Sequence, residues 1–143
     1  MEAEDPAEAS GSKAKTSKGG PRRVLVVDDN ADVSQALAEL LGMSGYEVQV
    51  ATGAEEAMTL FRQLPPQVAM LDIGLPMMDG HELAAKMREM PGGDRCAYIA
   101  LTGYGMEAER EKSVQAGFRA HLVKPVDLKQ LTSILEDCTG EAP

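Results

Sequence analysis

Polar residues that could form one site follow the apolar runs of the sequence, at the points where those runs end. Asp28 and Asp29 follow the first run, Asp72 the third, Thr102 the fourth and Lys124 the fifth. Any one of these residues alone is more typical of a helix cap or a turn. Together they supply three carboxylates, one hydroxyl and one ammonium, and they indicate a site if the fold brings them to one edge.

The chemistry of such a set points to a cation and a phosphoryl group. Three close carboxylates repel one another and raise one another's pKa unless a cation neutralises them. Oxygen ligands in a small site suit Mg²⁺ or Mn²⁺ better than zinc. Lys124 can pair with a carboxylate or a phosphoryl oxygen, and Thr102 can donate a hydrogen bond to an anion held nearby. The set therefore predicts stabilisation of a phosphoryl group on one carboxylate.

The apolar runs predict strands that position these residues. The runs are Val24–Val27, Tyr46–Val50, Gln67–Leu71, Ala97–Leu101 and Ala120–Val123. Four of them are nearly continuous in apolar character, which is typical of strands buried on both faces of a parallel sheet. The run Tyr46–Val50 alternates instead and favours a position at the edge of the sheet.

Helical patterns separate the strands. Apolar stripes at helical spacing begin at Val33, Ala57, Leu83 and Leu128, and a more polar and weakly patterned helix is expected at about 106–116. Start signals precede the clear stripes: Asn30, Asp127, and capping-box forms at Thr52–Glu55 and Asp79–Glu82. Five βα units predict an α/β fold with a doubly wound parallel sheet, which binds ligands at the carboxyl ends of its strands.

Composition sets the class of the protein. The 143 residues carry a net charge of −9 and are 43% hydrophobic, which fits one domain with a real core. The acidity argues against direct nucleic-acid binding, and no apolar run approaches the ~20 residues that span a bilayer. Cys96 and Cys138 lack the spacing of a zinc or redox motif, so we expect ordinary thiols in the cytoplasm.

The two ends of the chain differ from its middle. Residues 1–21 contain no Val, Ile, Leu, Phe or Tyr, so we expect a disordered tail or interdomain linker there. The folded domain is predicted to span residues 22–138, followed by a frayed end at 139–143.

Four segments resemble the receiver domains of two-component response regulators and hybrid histidine kinases. They are VLVVDDN at 24–30, MLDIGLPMMDG at 70–80, ALTGYG at 100–105 and HLVKPVD at 121–127. The resemblance covers about residues 22–138 and implies a flavodoxin-like (βα)5 fold with strand order 2-1-3-4-5. It also implies a phosphorelay protein that accepts a phosphoryl group from a histidine kinase or a histidine phosphotransfer domain. Such a domain catalyses only its own phosphorylation and dephosphorylation.

The resemblance also assigns roles around the acidic residues. Asp72 would be the phosphoacceptor. Asp29 and Asp72 would bind Mg²⁺ directly, Asp28 would act largely through water, and Gly74 would offer its backbone carbonyl. Mn²⁺ could substitute for Mg²⁺.

A second group of residues would form the conformational switch. The resemblance implies that Thr102 moves toward the phosphoryl group, that Lys124 forms an ion pair with it, and that the bond before Pro125 is cis. Many family members carry Tyr or Phe where this chain has His121. We expect His121 to replace that aromatic rotor with a smaller, polar side chain; a half-exposed histidine at a strand end is the simpler alternative.

Alternatives to a phosphorylated receiver remain at this point. One is a receiver-like interaction module that is not phosphorylated. Another is a phosphatase with an aspartyl nucleophile, although such enzymes usually carry DxD where this chain has Asp72-Ile73-Gly74. For a receiver, the settings are a stand-alone regulator, a phosphorelay intermediate or part of a hybrid kinase, and HLVKPVD favours the last. We expect a monomer or weak dimer without membrane insertion.

Overall fold

The computed structural model describes residues 22–75, 78–103 and 109–139. Its strands are β1 (Arg22–Val27), β2 (Tyr46–Ala51), β3 (Val68–Asp72), β4 (Ala97–Thr102) and β5 (Ala120–Val123). Its helices are α1 (Ala31–Met43), α2 (Ala54–Gln63), α3 (Gly80–Arg88), α4 (Glu109–Gln115) and α5 (Leu128–Thr139), with a short 3₁₀ turn at Gly93–Arg95. The predicted tail at 1–21, the start of the predicted fourth helix and residues 140–143 lie outside the described residues.

The strands form one parallel sheet in the order β2-β1-β3-β4-β5, which confirms the predicted fold and order. β3 and β4 are buried along their whole length. β2 lies at one edge and exposes Glu47 and Gln49, as its alternating pattern predicts. The expectation of full burial is wrong for β5, because β5 forms the other edge and is only partly covered.

The core lies in two layers, one on each face of the sheet. On one face, Phe61 of α2 and Leu83 and Met87 of α3 pack against β1, β3 and β4. On the other face, α1 and α5 cover alternate residues of the same strands. Each fully buried aliphatic or aromatic side chain stabilises the fold by about 1.5–3 kcal/mol. This packing fixes the carboxyl ends of the central strands, where the polar residues lie.

Side-chain caps begin three of the helices as predicted. Asn30, Asp79 and Asp127 each accept a hydrogen bond from a backbone amide two or three residues later. Because Asn30 and Asp79 directly follow the site loops after β1 and β3, their caps also fix the paths of those loops.

The predicted capping box at Thr52–Glu55 is wrong by one residue. The cap of α2 is Gly53, which has no side chain to accept a bond. Because the helix begins at Ala54, its third residue is Glu56, and the Glu56 carboxylate accepts the Thr52 backbone amide at 3.0 Å.

Candidate functional site

Three carboxylates meet at the carboxyl ends of β1 and β3. One oxygen from each of Asp28, Asp29 and Asp72 lies within 4.8 Å of the others. The pairing of Val27 with Leu71 brings the next residue of each strand to the same level of the sheet. Asp28 and Asp72 are buried, whereas Asp29 is exposed, so the cluster opens to solvent on the side of Asp29.

The ammonium of Lys124 bridges two of these carboxylates. Its Nζ lies 2.9 Å from Oδ2 of Asp28 and 3.4 Å from Oδ2 of Asp72. The Lys124 backbone amide donates to the carbonyl of Thr102 at 2.8 Å, and the bond from Lys124 to Pro125 is cis. Lys124 therefore lies between the acidic cluster and the end of β4.

Asp28 is the most enclosed member of the cluster. Its side chain is 0% exposed, and its Oδ1 accepts the backbone amide of Asn30 at 2.9 Å. Asn30 was expected only as a helix cap, so its second contact, through the backbone, was missed. One oxygen of Asp28 is bonded to Asn30 and the other to Lys124, and the side chain is closed to solvent, so Asp28 is less accessible to a hydrated cation than Asp29.

Asp72 carries a charge that its surroundings only partly compensate. Burial raises the pKa of Asp72, and the nearby charge of Asp28 raises it further. The hydrogen bond from the Gly74 amide at 2.9 Å and the charge of Lys124 lower it, but the net shift of the pKa is upward. Burial lowers the pKa of Lys124, but its hydrogen bond to Asp28 and the charge of Asp72 raise it overall. Lys124 thus stays protonated beside a carboxylate cluster that has excess negative charge.

The donor set fits a small hard cation. With all groups ionised, three carboxylates and one ammonium leave two net negative charges. Carboxylate oxygens open to water on one side are ligands that Mg²⁺ and Mn²⁺ accept. Gly74 lies beside Asp72 through its amide, and a carbonyl contact from Gly74 to a metal stays a prediction.

The hydroxyl of Thr102 is bonded to His121. Thr102 is 0% exposed at the end of β4, and its Oγ1 lies 3.0 Å from Nε2 of His121. In the register of β4 and β5, His121 pairs with Ala100 and Val123 with Thr102, so Thr102 and His121 project to the same face. The sequence analysis did not predict this bond, because it depends on which residues of β4 and β5 pair with each other.

Removing the charge of Asp72 should stabilise the metal-free protein. The pKa of Asp72 in the folded protein lies above its ordinary value of 3.8. The Asp72 side chain therefore contributes most to the stability of the fold below pH 3.8, and this contribution is lost as the pH rises through the pKa of the folded state. Asp72→Asn should therefore gain on the order of 1 kcal/mol, or a few degrees in Tm, at neutral pH. Thermal unfolding in chelator, from pH 3.8 upward, should show a gain that increases with pH.

The exposed Asp137 of α5 supplies the matched control. Asp137→Asn should leave the Tm nearly unchanged, since a solvated surface charge contributes little. A chelated Asp72→Asn protein no more stable than the native chain at neutral pH would show that Lys124 and Gly74 fully compensate Asp72.

The family model of the response regulator receiver domain matches residues 24–136. That range contains the three carboxylates, Thr102, His121 and Lys124. The chain belongs to the response regulator receiver domain family, a component of two-component signalling. Within the residues that the structure describes, no helix is long and apolar enough to cross a membrane.

Two related proteins show the extent of the sequence similarity. An uncharacterized 14.6 kDa protein from Leptolyngbya boryana is 38% identical over 113 residues, which are 79% of this chain and 86% of that protein. The response regulator MprA of Mycolicibacterium vanbaalenii is 34% identical over 111 residues, 78% of this chain. The chain spans only 47% of the length of MprA, so the similarity concerns one part of that longer protein.

Solved structures share the fold. A putative response regulator from Chloroflexus aurantiacus superposes with a TM-score of 0.79 at 28% identity, over 85% of this chain and 99% of that one. The receiver domain of the sensor histidine kinase PA1611 from Pseudomonas aeruginosa gives a TM-score of 0.75 at 27% identity, with the same coverage. The PA1611 structure has a magnesium ion coordinated in its active-site cleft.

Proposed function

We propose that this chain is a phosphoacceptor in which Asp72 takes a phosphoryl group from a phosphohistidine. The observation that carries the proposal is the cluster of three carboxylates bridged by the Lys124 ammonium at the carboxyl edge of the sheet. The donor would be a histidine kinase or a histidine phosphotransfer domain. The similarity to a receiver of a sensor histidine kinase supports a hybrid-kinase setting.

The transfer conserves atoms and charge in a simple way. A carboxylate oxygen of Asp72 forms a bond to phosphorus as the bond from phosphorus to the donor imidazole nitrogen breaks. The donor imidazole keeps the electron pair of that bond and takes a proton from solvent water, and Asp72 becomes an acyl phosphate. Lys124 lies 3.4 Å from Asp72 but 2.9 Å from Asp28, so the phosphoacceptor is the less tightly paired of the two carboxylates.

Asp29 and Asp72 would hold Mg²⁺, with Asp28 acting largely through water and Gly74 through its carbonyl. The metal would supply positive charge that offsets the repulsion between the carboxylates and the incoming phosphoryl oxygens. The exposure of Asp29 and the enclosure of Asp28 support this division of roles. Mn²⁺ should substitute, because the ligands are all oxygens.

Thr102 and Lys124 would respond to the phosphorylation of Asp72 by contacting the phosphoryl group. Lys124 is placed to pair with a phosphoryl oxygen because its ammonium already reaches Asp72. The Thr102 hydroxyl would turn toward the phosphoryl group and so couple Asp72 to the end of β4. The only reaction proposed for residues 22–138 is phosphorylation and dephosphorylation of the chain itself.

Incubation with acetyl phosphate and Mg²⁺ should add one phosphoryl group to the native chain, seen by intact-protein mass spectrometry. Removal of the metal by a chelator should abolish the addition, and Mn²⁺ should restore it, since the carboxylate cluster needs a dication. If no adduct forms and beryllofluoride, a phosphoryl mimic, does not bind, the unphosphorylated interaction module is the correct reading.

A further inference from the structure

We propose that His121 is a positioning residue that competes with a phosphoryl group for the hydroxyl of Thr102. On this proposal Nε2 of His121, 3.0 Å from Oγ1 of Thr102, is the unprotonated ring nitrogen and accepts the single hydroxyl proton of Thr102 in the unphosphorylated chain. Phosphorylation of Asp72 then has to draw the hydroxyl away from this imidazole. The inference rests on the proposed phosphorylation of Asp72 and adds a specific opposing contact.

The geometry of Thr102 supports a competition for one proton. A hydroxyl has one proton to donate, and Thr102 is 0% exposed, so its partners are the groups enclosed with it. His121 Nε2, at 3.0 Å, is well within hydrogen-bond distance. A bond from Thr102 to a phosphoryl oxygen therefore costs the bond to His121.

The backbone confines the change of partner to the side chain. The carbonyl of Thr102 accepts the Lys124 amide at 2.8 Å, and Thr102 pairs with Val123 in the sheet. Because these two contacts fix the main chain of Thr102, the smallest movement that takes its hydroxyl from His121 to a phosphoryl group is a rotation of the side chain between staggered rotamers. The contact with His121 then sets part of the free-energy difference between the two positions.

An imidazole differs here from the Tyr or Phe that the family resemblance leads one to expect at this position. A phenyl ring cannot accept the hydroxyl proton, so it opposes the movement of Thr102 only by its shape. One intramolecular hydrogen bond changes an equilibrium by roughly two- to tenfold. His121 should reduce the affinity of the chain for a phosphoryl mimic by that factor.

The dissociation constant of beryllofluoride, measured with saturating Mg²⁺, tests the competition. His121→Phe should bind beryllofluoride roughly two- to tenfold more tightly than the native chain. His121→Gln should stay close to the native value, because its amide oxygen can accept the same proton. Thermal unfolding of each variant verifies that it is folded.

A double-mutant cycle distinguishes positioning from general packing. If His121 acts through the hydroxyl, His121→Phe should have no further effect in a Thr102→Ala background. His81 supplies the matched control, since its Nε2 is bonded to Ser113 and not to Thr102. His81→Phe should leave the affinity for beryllofluoride unchanged.

Nitrogen NMR of the two histidines gives a direct signature. Without beryllofluoride, Nε2 of His121 should have the chemical shift of an unprotonated acceptor, and the mimic should move that signal but not the signal of His81. Three results would overturn the inference. One is a protonated Nε2 in His121, and another is weaker beryllofluoride binding by His121→Phe. The third is an effect of His121→Phe on binding that is the same in the native and the Thr102→Ala backgrounds. If the native chain binds no beryllofluoride and gains no phosphoryl group, the proposed function fails as well. If the native chain binds beryllofluoride normally but gives one of these three results, only the proposed role of His121 is refuted.

Discussion

Replacing Asp72 with asparagine is expected to reduce phosphoryl incorporation from one group per chain to none. An amide lacks the anionic oxygen that would attack phosphorus, and Asp28 cannot substitute because it is fully buried between Lys124 and Asn30. Asn has nearly the shape of Asp, and we expect it to stabilise the metal-free fold. Loss of the adduct would then report on chemistry and not on unfolding.

Intact-protein mass spectrometry of Asp72→Asn, beside Asp137→Asn, provides the measurement. The Asp137 variant removes a carboxylate of the same type from the exposed surface of α5 and should be phosphorylated like the native chain. An adduct of native size on Asp72→Asn would place the acceptor elsewhere, with Asp29 as the next residue to examine because it is exposed.

Replacing Lys124 with methionine should destabilise the metal-free protein by about 2–3 kcal/mol. The substitution leaves the wholly buried Asp28 without its partner at 2.9 Å, and an uncompensated buried charge is costly. The estimate lies below the full range for buried pairs because the Lys124 side chain is 22% exposed. Chemical denaturation in chelator at neutral pH measures the loss, and added Mg²⁺ should recover part of it.

The pH dependence of the Lys124 contribution follows from its raised pKa. A base with a raised folded pKa stabilises the fold fully below its ordinary value of 10.5, and that contribution is lost as pH rises through the folded pKa. Lys129→Met, on an exposed position of α5, should have almost no effect. A loss below about 1 kcal/mol for Lys124→Met would mean that water reaches the Asp28 carboxylate in the variant.

The sheet and the meeting of its polar residues could be predicted from the sequence. Buried parallel strands are nearly continuous in apolar residues, as Val24–Val27 and Ala97–Leu101 illustrate, and the alternation of β2 reveals its edge position. In such a sheet all carboxyl ends lie at one edge, and Asp28 and Asp72 approach each other because β1 and β3 are neighbours there.

Details that depend on side-chain packing could not be predicted. The helix start at Ala54 moved the capping contact from Glu55 to Glu56, because a helix boundary is set by local geometry that a motif fixes only within a residue. The bond between Thr102 and His121 depends on register and on a side-chain rotamer, neither of which the spacing in the sequence determines.

The hydrogen bond between Lys124 and Asp28 joins residues that are 96 positions apart in the chain. Contacts of such long range form only after the intervening chain has paid the entropy of closing a long loop. A nascent or partly unfolded chain can hold β1 and β3 together and still lack the ammonium. The Lys124 ammonium therefore joins the carboxylates only when the end of β5 lies beside β4, so the complete site is a property of the whole sheet and not of any one βα unit.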